Sequence, residues 1–222
     1  MTELLENRER LDHSPMDCRR NSERGFSMIE TVVVVAIILI ISAMALINLP
    51  ATMQSIHSDT AVREVVTQLR QAREYAIANR RYVQVTFTTV GGLAQIQMIQ
   101  RNDKTAGAGA VNPVLSTVPI QAPMQFVVFG GLADTPDGFG NAAAIEFGTP
   151  GVAGGPPGGM FFQSDGELVD GGTVAGGAAN PINGSIFLGV AGTTSTARAV
   201  TVMGTTGRVH GWSSGGGAWT QF

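Results

Sequence analysis

The sequence predicts an α+β chain, one long N-terminal helix followed by an antiparallel β-domain. Three observations carry that reading. Residues 31–49, from Thr31 to Leu49, hold no charged side chain, residues 56–81 repeat their apolar positions at three- and four-residue steps, and from Tyr82 the period falls to two. Of the 29 glycines, all but Gly25 lie from Gly91 onward, spaced between short β-like runs. A helical period first and short alternating runs afterwards is the segregated order of an α+β domain, not the alternation of a parallel α/β sheet.

The nineteen residues 31–49 are close to the roughly 20 that cross the hydrocarbon core of a bilayer. An isolated span must satisfy its own backbone hydrogen bonds, so the segment should be helical. Glu30 stands on its lip. An ionisable group at membrane depth costs about 2.5–3.5 kcal/mol even on lenient scales, which marks this carboxylate as functional by default. Arg19, Arg20 and Arg24 crowd the segment before the span against Glu23 alone, and no Lys or Arg follows until Arg63. The positive-inside rule therefore places the N-terminal segment in the cytoplasm and the C-terminal domain beyond the membrane. The conspicuous glycine precedes the apolar run and is followed by bulky Phe26, so a cut there would leave the hydrophobic helix in place, unlike secretory-signal cleavage.

Gly25-Phe26-Ser27-Met28-Ile29-Glu30 ahead of an uncharged run resembles the processing site of type IV prepilins and pseudopilins. That resemblance implies cleavage by a membrane peptidase after Gly25, N-methylation of the new terminus at Phe26, and use of the Glu30 carboxylate in assembly. It also implies an organisation: residues 1–25 as a cytoplasmic leader, 26–49 as a transmembrane and assembly helix, 50–81 as its amphipathic continuation, and 82–222 as a periplasmic β-rich domain.

Between Ile56 and Arg81, Val62, Val65, Val66, Leu69, Ala72, Ala76 and Ile77 form an apolar stripe, with Arg63, Arg70, Arg73, Arg80 and Arg81 between them. This is an amphipathic helix with one buried face. Only Pro50 separates it from the span, so one helix from about Ser27 to Asn79 is expected, kinked or locally melted where proline removes a hydrogen bond and crowds the Leu46 carbonyl. Next come Val83, Val85 and Phe87, a Gly91-Gly92 turn, then Ala94, Ile96 and Met98. A two-residue turn there sets Phe87 opposite Ile96 and Val85 opposite Met98, which puts both apolar sets on one face. Further β-like runs lie at 124–129, 144–147, 160–163, 185–190, 198–203 and 208–212, and an antiparallel sheet or sandwich follows. The Gly/Ala/Pro-rich segments 103–113, 148–159 and 171–184 are expected as surface loops.

The helix end Leu69-Arg70-Gln71-Ala72-Arg73-Glu74-Tyr75-Ala76 running into a hairpin is similar to the GspH/FimT branch of minor pseudopilins. So is the later succession of the 160–163 strand, Asp165-Gly166, the 185–190 strand, Arg198 to Val202 and Gly207-Arg208-Val209. This resemblance implies a pilin-like fold, the distal half of the long helix packed on an antiparallel β-domain.

The inventory of reactive groups is thin. Cys18 is the single cysteine and lies in the leader; His13 lies there too, and His57 and His210 are far apart in sequence. No triad or zinc cluster is legible, so neither enzyme activity, nor a catalytic residue, metal or cofactor is expected. Asp165-Gly166-Glu167 with Asp170 invites a calcium reading but lacks the ligand density of a loop motif, and a hairpin turn is preferred; Asp134 and Asp137 are read the same way. Without residues 1–25 the chain keeps nine basic and eleven acidic side chains, and beyond Lys104 only Arg198 and Arg208 are basic. Some members of the FimT branch, whose tails are implicated in DNA binding, resemble the Gly207-Arg208-Val209-His210 region but carry an arginine where His210 stands. Here Arg208 and His210 are a weak candidate ligand contact, and the preferred reading is an arginine at a strand start with its head in solvent. Arg63, Arg70 and Arg73 are read as a solvated helix face, and Trp212, Trp219 and Phe222 as a cap on the core edge or a contact surface.

The resemblance therefore implies a minor pseudopilin, a structural subunit of a type II secretion pseudopilus or a type IV pilus. Its partners would be other pilin or pseudopilin subunits, the prepilin peptidase/methyltransferase, an inner-membrane assembly platform and the membrane itself, with work supplied by a cytoplasmic ATPase. The chain has no P-loop of its own. The alternative of a different class is a DNA-binding minor pilin for DNA uptake, against which the sparse positive charge of the domain argues.

Overall fold

The structure, a computed structural model, describes residues 26–102, 112–148, 159–171, 180–215 and 217–222. The chain divides into two units, Met1–Ile47 and Asn48–Phe222. One helix, α1, is assigned from Met28 to Asn79, within one or two residues of the limits expected from the pattern. It is helical through Pro50. The melted turn expected at that proline is therefore absent; a single lost hydrogen bond does not break a helix whose neighbours on both sides keep theirs.

Among the described residues eleven strands, all paired antiparallel, follow the helix. Those of the first sheet are β1 (Tyr82–Val90), β2 (Leu93–Arg101), β3 (Val114–Pro119), β6 (Met160–Phe162) and β7 (Leu168–Asp170), in the order β3-β2-β1-β6-β7. In the second sheet β11 (Trp219–Gln221), β10 (Arg208–Ser214), β9 (Arg198–Met203), β8 (Gly184–Gly189) and β4 (Gln125–Phe126) lie in that order, and β5 (Ile145–Phe147) also pairs with β8. The expected register of the first hairpin is present, with Phe87 opposite Ile96 and Val85 opposite Met98. Gly91 and Gly92 both take positive φ, 60° and 83°. That is the backbone a tight two-residue hairpin turn of the favoured hand requires.

The stripe read from the helix is the core: Val62, Val65, Val66, Leu69, Ala72 and Ala76 are all buried. Ile77 departs from it and is exposed, because it sits a further 100° or so round the helix from Ala76. Against the stripe pack Val83, Val85, Ile96 and Met98 from the first sheet and Ile186, Leu188, Val200, Val202 and Val209 from the second, so one hydrophobic core joins helix and both sheets. Arg198, 4% exposed, crosses from β9 to the helix and binds Asp59 at 2.7 Å. A second, smaller cluster of Phe187, Ala199 and Trp212, with Trp219 packed on it, occupies the other face of the second sheet. The chain after β4 covers it: Phe129 is buried, and the Trp219 Nε1 donates to the Ala133 carbonyl at 2.8 Å.

Several expectations need correction. The run at 124–129 narrows to two strand residues, and its end turns into the cover just described. Residues 180–184 are only partly loop surface: Asn180, Pro181 and Asn183 are exposed as expected, but Pro181 bridges to Val169, Ile182 is buried, and Gly184 opens β8. Residues 172–179, 103–111 and 149–158 lie outside the described residues, as do the leader and Gly25.

Candidate functional site

Three places in the fold bear on function, beginning with the N-terminal helix. Ser27 precedes α1 and its carbonyl accepts the Thr31 amide at 3.1 Å, while the Thr31 hydroxyl donates to the Met28 carbonyl at 2.8 Å. Glu30 lies in the first turn and is exposed. A carboxylate there faces the positive end of the helix dipole, beside backbone N–H groups that have no intrahelical acceptor. Phe26 is 77% exposed, and the large apolar side chains from Met28 to Met44 are exposed throughout. The window Met28–Ala45 is long and apolar enough to cross a membrane. An apolar surface this large needs either lipid or other protein to cover it.

The second place is the Arg208–His210 region, and here the sequence saw less than the structure contains. Arg208 is exposed at the start of β10, as expected. His210, two residues on, is largely buried; its Nδ1 lies 3.0 Å from Asp137 Oδ2, and its Nε2 is buried without a partner. The Thr201 hydroxyl donates to the same Asp137 oxygen and in turn accepts from Trp212 Nε1 at 2.8 Å. Asp137 lies in a turn, as read, but it also ties that turn to β9 and β10, so His210 has a structural partner at Nδ1.

Two helix arginines are nevertheless beside Arg208. Strand β11 pairs with Trp212–Ser214 and the Phe222 amide donates to the Gly211 carbonyl at 3.2 Å, which leaves β10 before Gly211 without a strand neighbour on that edge. Arg70 Nη2 donates to the Val209 carbonyl at 3.2 Å, and Arg73 Nε lies 3.2 Å from both the Gly166 and Thr206 carbonyls. Arg63 stacks over the Phe222 ring at 5.2 Å. Arg63 and Arg70 are exposed, as expected of a solvated face, and Arg73 is half-buried; what the expectation lacked is that all three also touch the β-domain. The spacing was visible, since positions 63, 70 and 73 share one helical stripe; what they would meet was not. Arg70, Arg73, Glu74, Arg208, His210 and Phe222 line a cavity of about 290 Å³.

The third place is the acidic turn after β6. Asp165 accepts the Glu167 amide at 3.1 Å, Gly166 has φ 89°, and Asp170 accepts the Asn180 amide at 3.2 Å. These carboxylates serve the hairpin and its flank. Among the described residues no three His, Cys, Asp or Glu side chains converge on a common point that could hold a metal.

Comparison with known proteins bears on the first place. Residues 20–46 match the family described as the prokaryotic N-terminal methylation motif, which brackets Gly25, Phe26 and Glu30. The chain thus carries a prepilin-type N-terminal methylation motif. Its fold is α+β, a long N-terminal helix followed by antiparallel sheets. Among solved structures it is similar to the minor pseudopilin EpsH from the type 2 secretion system of Vibrio cholerae, at 14% identity and a TM-score of 0.41 over 71% of this chain and 97% of that one. No curated protein matches it.

Proposed function

We propose that this protein is a minor pseudopilin or minor pilin of the GspH/FimT type, a structural subunit of a type II secretion pseudopilus or a type IV pilus. The observation that carries the proposal is the methylation motif at residues 20–46 set against a helix start whose apolar side chains are all exposed. In this reading the precursor sits in the bacterial inner membrane with residues 1–25 in the cytoplasm. A prepilin peptidase cuts between Gly25 and Phe26 and methylates Phe26, and an inner-membrane platform then moves the subunit into a periplasmic filament of pilin or pseudopilin subunits. Residues 26–49 are the part that exchanges lipid for neighbouring helices, 50–81 continue the helix, and 82–222 form the periplasmic domain.

Glu30 gives the exchange its register. A carboxylate in an apolar environment is costly alone and tolerable when paired. The next basic residue after it in the chain is Arg63, so the partner must come from elsewhere, and the amine of a neighbouring subunit's Phe26 has the right charge and position. Glu30→Val should leave membrane insertion and cleavage intact while impairing incorporation into the filament. The test is a cysteine crosslink between positions 27 and 33 on different subunits, together with the amount of assembled protein. Parental assembly and an unchanged crosslink in Glu30→Val would refute the role.

A further inference from the structure

We propose that the cavity between α1 and the start of β10 is a docking site for a single acidic side chain of a partner protein, held by Arg70, Arg73 and Arg208. The site lies wholly in the β-domain unit and does not depend on the assembly reading above. Three guanidinium groups from two elements line one cavity of about 290 Å³. Among the described residues the only ion pairs are Arg198 with Asp59 and His210 with Asp137, so none of the three has a carboxylate within pairing distance. Arg70 spends one N–H on the Val209 carbonyl and Arg73 its Nε on the Gly166 and Thr206 carbonyls. Those bonds fix where the two heads lie and leave their other N–H groups for a ligand. Arg208 has no side-chain hydrogen bond of its own among the described residues. Fixed guanidinium forks with spare donors match a carboxylate in paired geometry.

The surroundings select a discrete carboxylate over a polyanion. A nucleic acid backbone needs a lane of positive charge to displace its counterions. Here Glu74 stands in the wall, and Asp165 and Glu167 flank the Gly166 turn that touches Arg73. Arg198, the other basic residue of the second sheet, is buried on Asp59. A phosphate chain leaving the cavity on the side of that turn would meet acids. On the other side stands Phe222, 48% exposed, its ring seated over Gly211 and under Arg63. That apolar wall suits a hydrophobic residue next to the acid. The ligand class is therefore a peptide segment presenting one glutamate or aspartate beside an apolar residue.

The test uses the full chain in detergent micelles and a blocked heptapeptide with one central glutamate between two leucines, followed by calorimetry. Saturable binding is expected, weakened about tenfold by Arg208→Gln, since one charge-assisted pair is worth roughly that factor. Arg208→Gln should keep the parental melting temperature, because its head supports nothing in the fold. Arg81→Gln, which removes the same charge away from the cavity, should leave affinity unchanged, and the glutamine counterpart of the peptide should bind at least tenfold more weakly. Equal binding of the two peptides, equal affinity of Arg208→Gln and parent, or absence of saturation would each overturn the proposal. So would binding of a short DNA duplex that requires Arg208 while the peptide does not bind, an outcome that assigns the cavity to nucleic acid.

Discussion

Removing the Asp59 carboxylate should cost more than removing the guanidinium it holds. Arg198 is 4% exposed and Asp59 50% exposed at the side chain, and they meet at 2.7 Å. Stripping the partner from a fully buried ion costs about 3–5 kcal/mol, and an exposed pair contributes about 0–1 kcal/mol. A pair with one buried member lies between, so Asp59→Ala should cost about 2 kcal/mol. The Ser195 and Ala197 carbonyls, 3.2 and 2.9 Å from Arg198 Nη1, still solvate part of the stranded charge and keep the loss from reaching the upper range. Arg198→Met is the milder change. It leaves Asp59 half in water, and the Ala197 carbonyl still accepts the Ser214 amide at 3.1 Å. Its cost should be about 1 kcal/mol, with the double variant close to Arg198→Met alone and a coupling of roughly 1–2 kcal/mol. Urea unfolding of the full chain in detergent measures all four corners of the cycle, and thermal melts should show Asp59→Ala lower by about 4–8 °C. If Asp59→Ala lies within about 0.5 kcal/mol of the parent, the usual range for a surface change, the pair is not the clamp described.

Leu69→Ala should destabilise by about 2–5 kcal/mol in the same assay, since Leu69 is 1% exposed where helix and sheets share their core. Gly207→Ala should cost at least about 1 kcal/mol, because Gly207 has φ 60° and an added Cβ would meet the Gly166 carbonyl and the Arg73 side chain. Asp137→Ala should speed amide exchange across residues 131–141 and lower stability by about 1–3 kcal/mol, because the Asp137 carboxylate accepts from Thr201 and anchors the His210 ring.

The helix and first hairpin were readable from sequence because their periods run long enough to be unambiguous, and because a one-residue slip would turn every apolar side chain of the hairpin outward. Short strands were not. Ser116 and Thr117 dilute the pattern of β3, which ends at Pro119 on the edge of the first sheet; β7 has three residues and ends in Asp170; β11 follows Gly215, Gly216 and Gly217. Edge and three-residue strands carry too few alternations to stand out. Gln84 shows a related limit: alternation marks it as outward, yet it is buried because Arg101 covers it through two bonds to its Oε1 at 2.8 and 2.6 Å. The methylation motif at residues 20–46 was legible because a carboxylate beside an uncharged run is rare on cost grounds. The cavity was not, because Arg70 and Arg208 are far apart in sequence and join only through an open strand edge that pattern alone does not reveal.

N-terminal processing at the methylation motif is the central claim, and intact-mass and N-terminal peptide analysis of the protein from membranes of a peptidase-positive cell measures it directly. The account predicts a chain beginning at Phe26 with one methyl group on its amine, and accumulation of uncut precursor in Gly25→Leu, whose bulkier side chain must occupy the position of a glycine. A predominant species that retains Met1 in the parental protein would contradict it.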